Sequence, residues 1–231
     1  MPLYRSDVTV ELVDSMGHDY SVARAARVST GGSMEIDLEK DKALINYLMR
    51  DRHGSPFEHN AFTFYIEAPI FVFREFMRHR IASYNEESGR YKKLEPVFYI
   101  PDENRKLVQV GKPGAYTFEP GTEDQTFRAT SAITYASLDS YRRYEEMLDE
   151  GIAREVARMV LPVNIYSSMF VTINARSLMN FLSLRTIHPD SKVPSFPQRE
   201  IEMVAEQMET YFMENMPATH EAFCRNGRVA P

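Results

Sequence analysis

AFTFYIEAPIFVFREFM, residues 61–77, holds two kinds of secondary structure in one unbroken apolar run. Its first half, 61–68, is rich in aromatic and β-branched residues and reads as a strand. Pro69 then sits where helices accept proline at their first position. From Ile70 the spacing predicts a helix, with Phe73 and Met77 on one face and Arg74 and Arg78 together on another. A strand running straight into a helix makes the chain a mixture of α and β.

The flanking segments extend that reading. Upstream, VTVELV at 8–13 alternates like a strand, and residues 20–29 form a short helix ended by Thr30, Gly31 and Gly32. Asp37 caps a longer helix running to about Arg52, with Leu38, Leu44, Ile45 and Leu48 as its apolar stripe and Ile36 as a staple. HGSPFEHN at 53–60 is a turn. Downstream, PVFYI at 96–100 is a strand, while 101–122 is polar, carries Pro and Gly, and reads as a loop long enough to serve as a lid. Residues 123–150 form a helix ended by Gly151, and IAREVARMVL forms another stopped at Pro162. YSSMFVTIN is a strand. Asn174 opens the helix ARSLMNFLSLR, which places Leu178, Phe181, Leu182 and Arg185 on one side, and a last helix spans about 198–216. With no repeat, low-complexity tract or linker, residues 1–231 are expected to form a single mixed domain.

Composition restricts the function. The 231 residues are 43% hydrophobic, enough for a sizeable core, and the net charge of −6 disfavours general affinity for nucleic acid while allowing a local basic pocket. The single cysteine, Cys224, excludes a disulfide framework and a cysteine-rich metal site. No signal-like or membrane-spanning apolar run is present, so the expected location is the cytoplasm.

RHRIASYNEESGRY, 78–91, is the stretch most like a site. Arginines on otherwise apolar elements need a carboxylate or a phosphate in their donor forks. Ion pairs with Glu75, Glu86, Glu87 and Glu155 are one outlet for Arg74, Arg78, Arg80, Arg90, Arg158, Arg176 and Arg185. The other is an anionic ligand, with Ser88, Gly89 and Arg90 as a bendable phosphate cradle. His53, Glu58 and His59 do not have the spacing of a helical metal motif, and no metal site is expected. Ser88 is assigned to binding rather than to nucleophilic attack.

Arg78, His79, Arg80, Ser83, Asn85, Ser88 and Arg90 together resemble the signature of flavin-dependent thymidylate synthases. Arg158 before Leu161-Pro162, the segment from Asn174 to Arg185 and the turn at 53–59 are similar to further segments of that family. The resemblance implies an α+β fold in which an antiparallel sheet packs with helices. It also implies an enzyme that methylates dUMP to dTMP, with methylenetetrahydrofolate as carbon donor and FAD, reduced by NADPH, as hydride carrier. By the same analogy Ser55, Arg78, His79, Arg80, Glu86, Asn174, Ala175, Arg176 and Asn180 contact FAD. Glu75, Arg78, Glu86, Glu87, Ser88, Gly89, Arg90, Arg158 and Arg185 contact dUMP. The implied assembly is a homotetramer with sites at subunit junctions, where residues 75–78 come from a neighbouring subunit. Some relatives carry glutamine in place of Glu75, and a carboxylate cannot donate the hydrogen bonds of an amide.

The residues also bear on the chemistry. Cys224, in EAFCRNG, has no histidine evident from spacing to activate it, so no thiolate is expected to add to the uracil ring. Arg185 is the candidate for activating that ring electrostatically, by stabilising negative charge at N3 and O2. Two rivals stand beside this reading: a nucleotide- or RNA-binding module, and a flavoprotein that only oxidises NADPH.

Overall fold

A computed structural model of the chain describes residues 2–32, 34–112 and 115–231. In order, its elements are β1 (Leu3–Arg5), β2 (Thr9–Met16), α1 (Asp19–Val28), α2 (Leu38–Arg50), β3 (Ala61–Pro69), α3 (Ile70–Phe76), β4 (Ser83–Glu86), β5 (Val97–Tyr99), β6 (Val108–Lys112), β7 (Ala115–Glu119), α4 (Glu123–Asp149), α5 (Arg154–Ala157), β8 (Tyr166–Ile173), α6 (Ala175–Arg185), α7 (Arg199–Asn215) and α8 (Pro217–Arg225). The main sheet is antiparallel and four-stranded, in the order β2-β3-β8-β4. The mixed class expected from the sequence is the observed one. Two compact units divide the chain: the first draws on residues 1–8, 67–75 and 86–169, the second on 9–66, 76–85 and 170–231.

In the first unit, β1 pairs in parallel with β5, Tyr4 opposite Phe98. Leu94, Phe98, Tyr141, Tyr144, Ala157 and Ile165 form its buried cluster. Both backbone polar groups of buried Leu94 are satisfied from α4: its carbonyl accepts from the Tyr141 hydroxyl at 2.9 Å and its N–H donates to the Tyr144 oxygen at 3.3 Å. A capping box between Thr122 and Gln125 starts α4, and Gly151 (φ +82°) follows its end.

In the second unit, alternate β3 residues Phe62, Phe64 and Ile66 are fully buried, and Phe62 meets Phe212 of α7 edge-on at 5.9 Å. Each such side chain contributes about 1.5–3 kcal/mol. Neighbouring strands β3 and β8 are also joined by the Thr63 and Thr172 hydroxyls, 3.0 Å apart.

Four local expectations are corrected. The lid-like loop at 101–122 contains a hairpin, β6 paired antiparallel with β7 from Val108 opposite Glu119 to Lys112 opposite Ala115; Pro113 and Gly114 lie outside the described residues. Leu38 and Ile36, read as stripe and staple, are 78% and 64% exposed. The buried face of α2 instead begins at Asp41 and continues through Ile45, Leu48 and Met49, because Arg27 on α1 pairs with Asp41 at 2.5 Å and lets a carboxylate hold a core position. Residues 83–86, part of the stretch read as a site rather than as a strand, form β4. Finally, α3 stops at Phe76: the Phe76 carbonyl accepts from the His79 N–H at 3.0 Å and from the Tyr84 hydroxyl at 3.4 Å, which closes a turn. Arg78 therefore lies beyond the helix and shares no helical face with Arg74.

Candidate active site

The turn at 53–60 condenses into one 3₁₀ turn, Ser55–Glu58, over buried Pro56 and Phe57. A Cβ on Gly54, which precedes it, would lie 2.5 Å from Nε and Cζ of Arg176. Without one, the Arg176 guanidinium lies against the backbone. There its Nη1 donates to Glu58 at 2.5 Å and its Nε to the Pro231 carbonyl at 2.7 Å. Arg176 occupies the first turn of α6, which is held by Asn174 accepting from the Ser177 N–H at 2.9 Å and by the Ala175 N–H donating to Asn60 at 2.6 Å. Two sequence segments singled out for the flavin, 53–60 and 174–180, are thus one local structure, with Ser55, Arg176 and Asn180 all exposed.

The far end of α6 meets the arginine-rich stretch. Arg185, its last residue, donates from Nε to Nε2 of His79 at 3.1 Å. The imidazole stands edge-on to Phe181 (4.9 Å, 81°), and Phe181 and Phe76 are 4.3 Å apart. Burial, and then the Arg185 charge, bring the His79 pKa down to about 4. The ring is a neutral acceptor. Arg78 and Arg80 on either side of it are exposed and form no ion pair among the described residues.

In the other unit, the Ser88 carbonyl accepts from the Tyr91 N–H at 3.0 Å and its hydroxyl from the Arg90 N–H at 3.3 Å. Gly89 is buried, and a Cβ on it would stand 3.1 Å from Leu94 and 3.4 Å from the Arg158 stem. The glycine admits neighbouring side chains to the turn, so its role differs from the open anion cradle that the sequence suggests. Arg90 realises the ion-pair alternative, meeting Glu155 at 3.0 Å with both side chains about half exposed. Such a pair is worth under about 1 kcal/mol. Glu87 is tied to Ser168 by a 2.8 Å backbone bond and to Lys92 at 2.8 Å. Burial raises the pKa of Glu86, opposed first by the Ser167 hydroxyl; Glu87 adds to the rise, and Arg158 and Arg74 counter it. Glu75 lies half-buried on α3 and Arg158 opens a 3₁₀ turn.

A family model described as thymidylate synthase complementing protein matches residues 11–218. Flavin-dependent thymidylate synthases of Streptomyces avermitilis and Tropheryma whipplei are 62% and 59% identical to this chain, covering all of it and 96% and 98% of their own lengths. The chain belongs to the flavin-dependent thymidylate synthase family. A solved structure of a UMP/dUMP methylase, PolB from Streptomyces cacaoi bound with 5-Br UMP, is 54% identical and superposes with a TM-score of 0.93 over 100% of this chain and 99% of that one.

One cluster in this member of the flavin-dependent thymidylate synthase family corrects the sequence reading. Cys224 does have a histidine beside it: His220 Nε2, one helical turn earlier on α8, lies 3.8 Å from Sγ, and Arg228 Nη1 donates to Sγ at 3.4 Å. Burial favours the thiol, but His220 and then Arg228 outweigh it, so the Cys224 pKa is lowered. The i, i+4 spacing of His220 and Cys224 would have revealed the pair had α8 been recognised from Pro217. Glu209, His220 and Cys224 have the donor atoms of a metal site, all within 4.8 Å of one another. However, the Arg228 guanidinium already neutralises Glu209, at 2.6 and 2.7 Å, and its charge opposes a second cation there. Cys224→Ala is expected to keep thymidylate formation within about threefold of the parent; an inactive but folded variant, with native circular dichroism, would restore a thiolate mechanism.

Proposed function

We propose that this chain is a flavin-dependent thymidylate synthase that methylates dUMP to dTMP, with methylenetetrahydrofolate as carbon donor and FAD reduced by NADPH. The observation that carries the reading is the full-length 62% identity to a relative of that name, together with intact Arg78, His79, Arg80, Ser83, Asn85, Ser88 and Arg90. Exposed, unneutralised Arg78 and Arg80 suit an anionic cofactor. The bare backbone at Gly54 seats the Arg176 guanidinium with its charge half exposed, which suits an anionic cofactor.

In this reading Ser55, Arg78, His79, Arg80, Glu86, Asn174, Ala175, Arg176 and Asn180 hold FAD, which supplies hydride chemistry when bound. Glu75, Arg78, Glu86, Glu87, Ser88, Gly89, Arg90, Arg158 and Arg185 hold dUMP. Arg90 exchanges its weak contact with Glu155 for the nucleotide phosphate, a charge-assisted bond to a dianion. Arg185 faces the uracil ring and stabilises its ionised form; a guanidinium stays protonated and takes no proton itself. No cysteine adds to the ring.

The working assembly is a homotetramer whose sites take residues 75–78 from a neighbouring subunit, and within it the chain acts as one domain. Phe127, Tyr135 and Leu138 on α4, 72%, 71% and 45% exposed, support subunit packing. Among the described residues no helix is long and apolar enough to cross a membrane; the reading places the enzyme in the cytoplasm, acting on nucleotides rather than nucleic acid.

The test is product analysis. Purified protein should carry flavin absorption and yield dTMP from dUMP, methylenetetrahydrofolate and NADPH; a colourless protein with salt-dependent oligonucleotide binding, or NADPH oxidation without dTMP, overturns it. Arg90→Ala should weaken dUMP affinity by about 10- to 100-fold, the loss of a charge-assisted bond of about 1.5–3 kcal/mol, with flavin retained. Unchanged dUMP affinity in a calorimetric titration would contradict the phosphate assignment.

A further inference from the structure

The arginine proposed to activate the ring is held at one of its nitrogens by a partner that carries no charge. A carboxylate against Nε would align the guanidinium and also cancel much of its field; an imidazole lone pair aligns it and leaves the charge in place. The geometry around His79 is built to supply that lone pair. Its N–H donates to Phe76 at 3.0 Å and its carbonyl accepts from the Tyr84 hydroxyl at 2.5 Å, so the backbone is fixed from both sides. Phe181 and Phe76 meet the ring edge-on and fix its plane. Nε2 then faces the Nε–H of Arg185 at 3.1 Å.

We propose that His79 is a positioning residue for Arg185: as the neutral tautomer protonated on Nδ1, it accepts the Arg185 Nε–H and sets the plane in which the guanidinium meets its anionic ligand. This rests on the reading of Arg185 as the ring-activating group. An arginine Nε has only a hydrogen to offer, so the acceptor must be an unprotonated ring nitrogen. Protonating the ring would remove the acceptor and set a second cation against the first. Among the described residues, Arg185 from α6 meets the His79 ring and Tyr84 from β4 meets its backbone carbonyl, and neither favours the imidazolium. The low pKa that follows from burial and Arg185 keeps the lone pair available at neutral pH.

Two measurements on the flavin-loaded enzyme decide it. In protein with ¹⁵N-labelled histidine, with the His79 signals assigned by their loss in His79→Gln, Nε2 should show the shift of an unprotonated nitrogen and Nδ1 that of a protonated one, unchanged between pH 8 and pH 6. A protonated Nε2, or titration within that range, overturns the proposal, and this readout does not depend on turnover. In steady-state assays His79→Phe, which keeps a flat ring and loses the acceptor, should lower kcat about 10²-fold with little change in the KM for dUMP. His79→Gln, whose amide oxygen can reach the Nε2 position, should recover at least about tenfold. In an Arg185→Ala background, with flavin occupancy matched by absorbance, His79→Phe should cost little more, since its route through Arg185 is gone. Losses that multiply instead, or a fully active His79→Phe, overturn the positioning role. Normal turnover of Arg185→Ala alone would mean that the ring-activation reading has failed, whatever the tautomer of His79.

Discussion

Arg185→Ala is expected to retain flavin and to lose thymidylate formation, with kcat falling about 10²–10³-fold, the usual loss when one preorganised donor to a developing anion is removed. The argument is electrostatic. Uracil C5 becomes nucleophilic as negative charge gathers on N3 and O2, and a fixed cation lowers the energy of that state more than that of neutral dUMP. Arg185 is suited to this because its position is set twice: by its place as the last residue of α6 and by the 3.1 Å bond to His79. Single-turnover conversion of dUMP, followed together with flavin absorbance, checks the prediction. Normal turnover would place ring activation elsewhere.

The second large effect is on stability. The Arg228 side chain is completely buried, and it donates to both Glu209 oxygens, to Thr186 Oγ1 at 2.9 Å and to Cys224 Sγ. Its backbone is in the left-handed region, φ +54°, where a non-glycine residue is held by its surroundings. Arg228→Ala leaves the mostly buried Glu209 carboxylate with His220 as its charged partner at 2.8 Å. Removing one partner of a buried ion pair costs about 3–5 kcal/mol. For a chain of this size that is a fall of about 6–20 °C in Tm, measurable by calorimetry.

The same network predicts a pH window. At Glu209 burial alone would raise the pKa, but His220 and Arg228 overcome it and hold the carboxyl at about 2. Its contribution is therefore full above the unfolded carboxyl range, near 4.5, and is lost as pH falls toward 2. Cys224 and then Glu209 raise the pKa of His220 to about 9, so its contribution is full below about 6.5 and is lost as pH rises through 9. Urea midpoints should accordingly be highest between about pH 4.5 and 6.5, and Arg228→Ala should flatten the acid side of that profile.

What the sequence disclosed follows from the range of the interactions involved. The capping residues Asp37 and Asn174, the aromatic and β-branched run of β3 and the alternation through β8 act over a few residues, and those elements were readable. Residues 83–86 were not, because their four positions include polar Ser83, Asn85 and Glu86 and are held by a neighbouring strand rather than by their own pattern. The pairing of β6 with β7 was hidden by the polar residues around it. Arg78 was placed on a helix face because nothing local shows that Tyr84 takes the Phe76 carbonyl. The motif arginines were legible as a group, but their partners were not: His79 and Arg185 stand 106 positions apart, and Arg176 and Glu58 stand 118 apart.

The bare backbone at Gly54 has an evolutionary corollary. The atoms that crowd it belong to the tip of a half-exposed, flexible side chain, so a larger residue there would spare the fold and evict the guanidinium of Arg176 from its berth beside Glu58 and Pro231. Drift at position 54 is thus expected to leave descendants that remain soluble and folded, yet carry a displaced Arg176, and the two sites should tend to vary in concert.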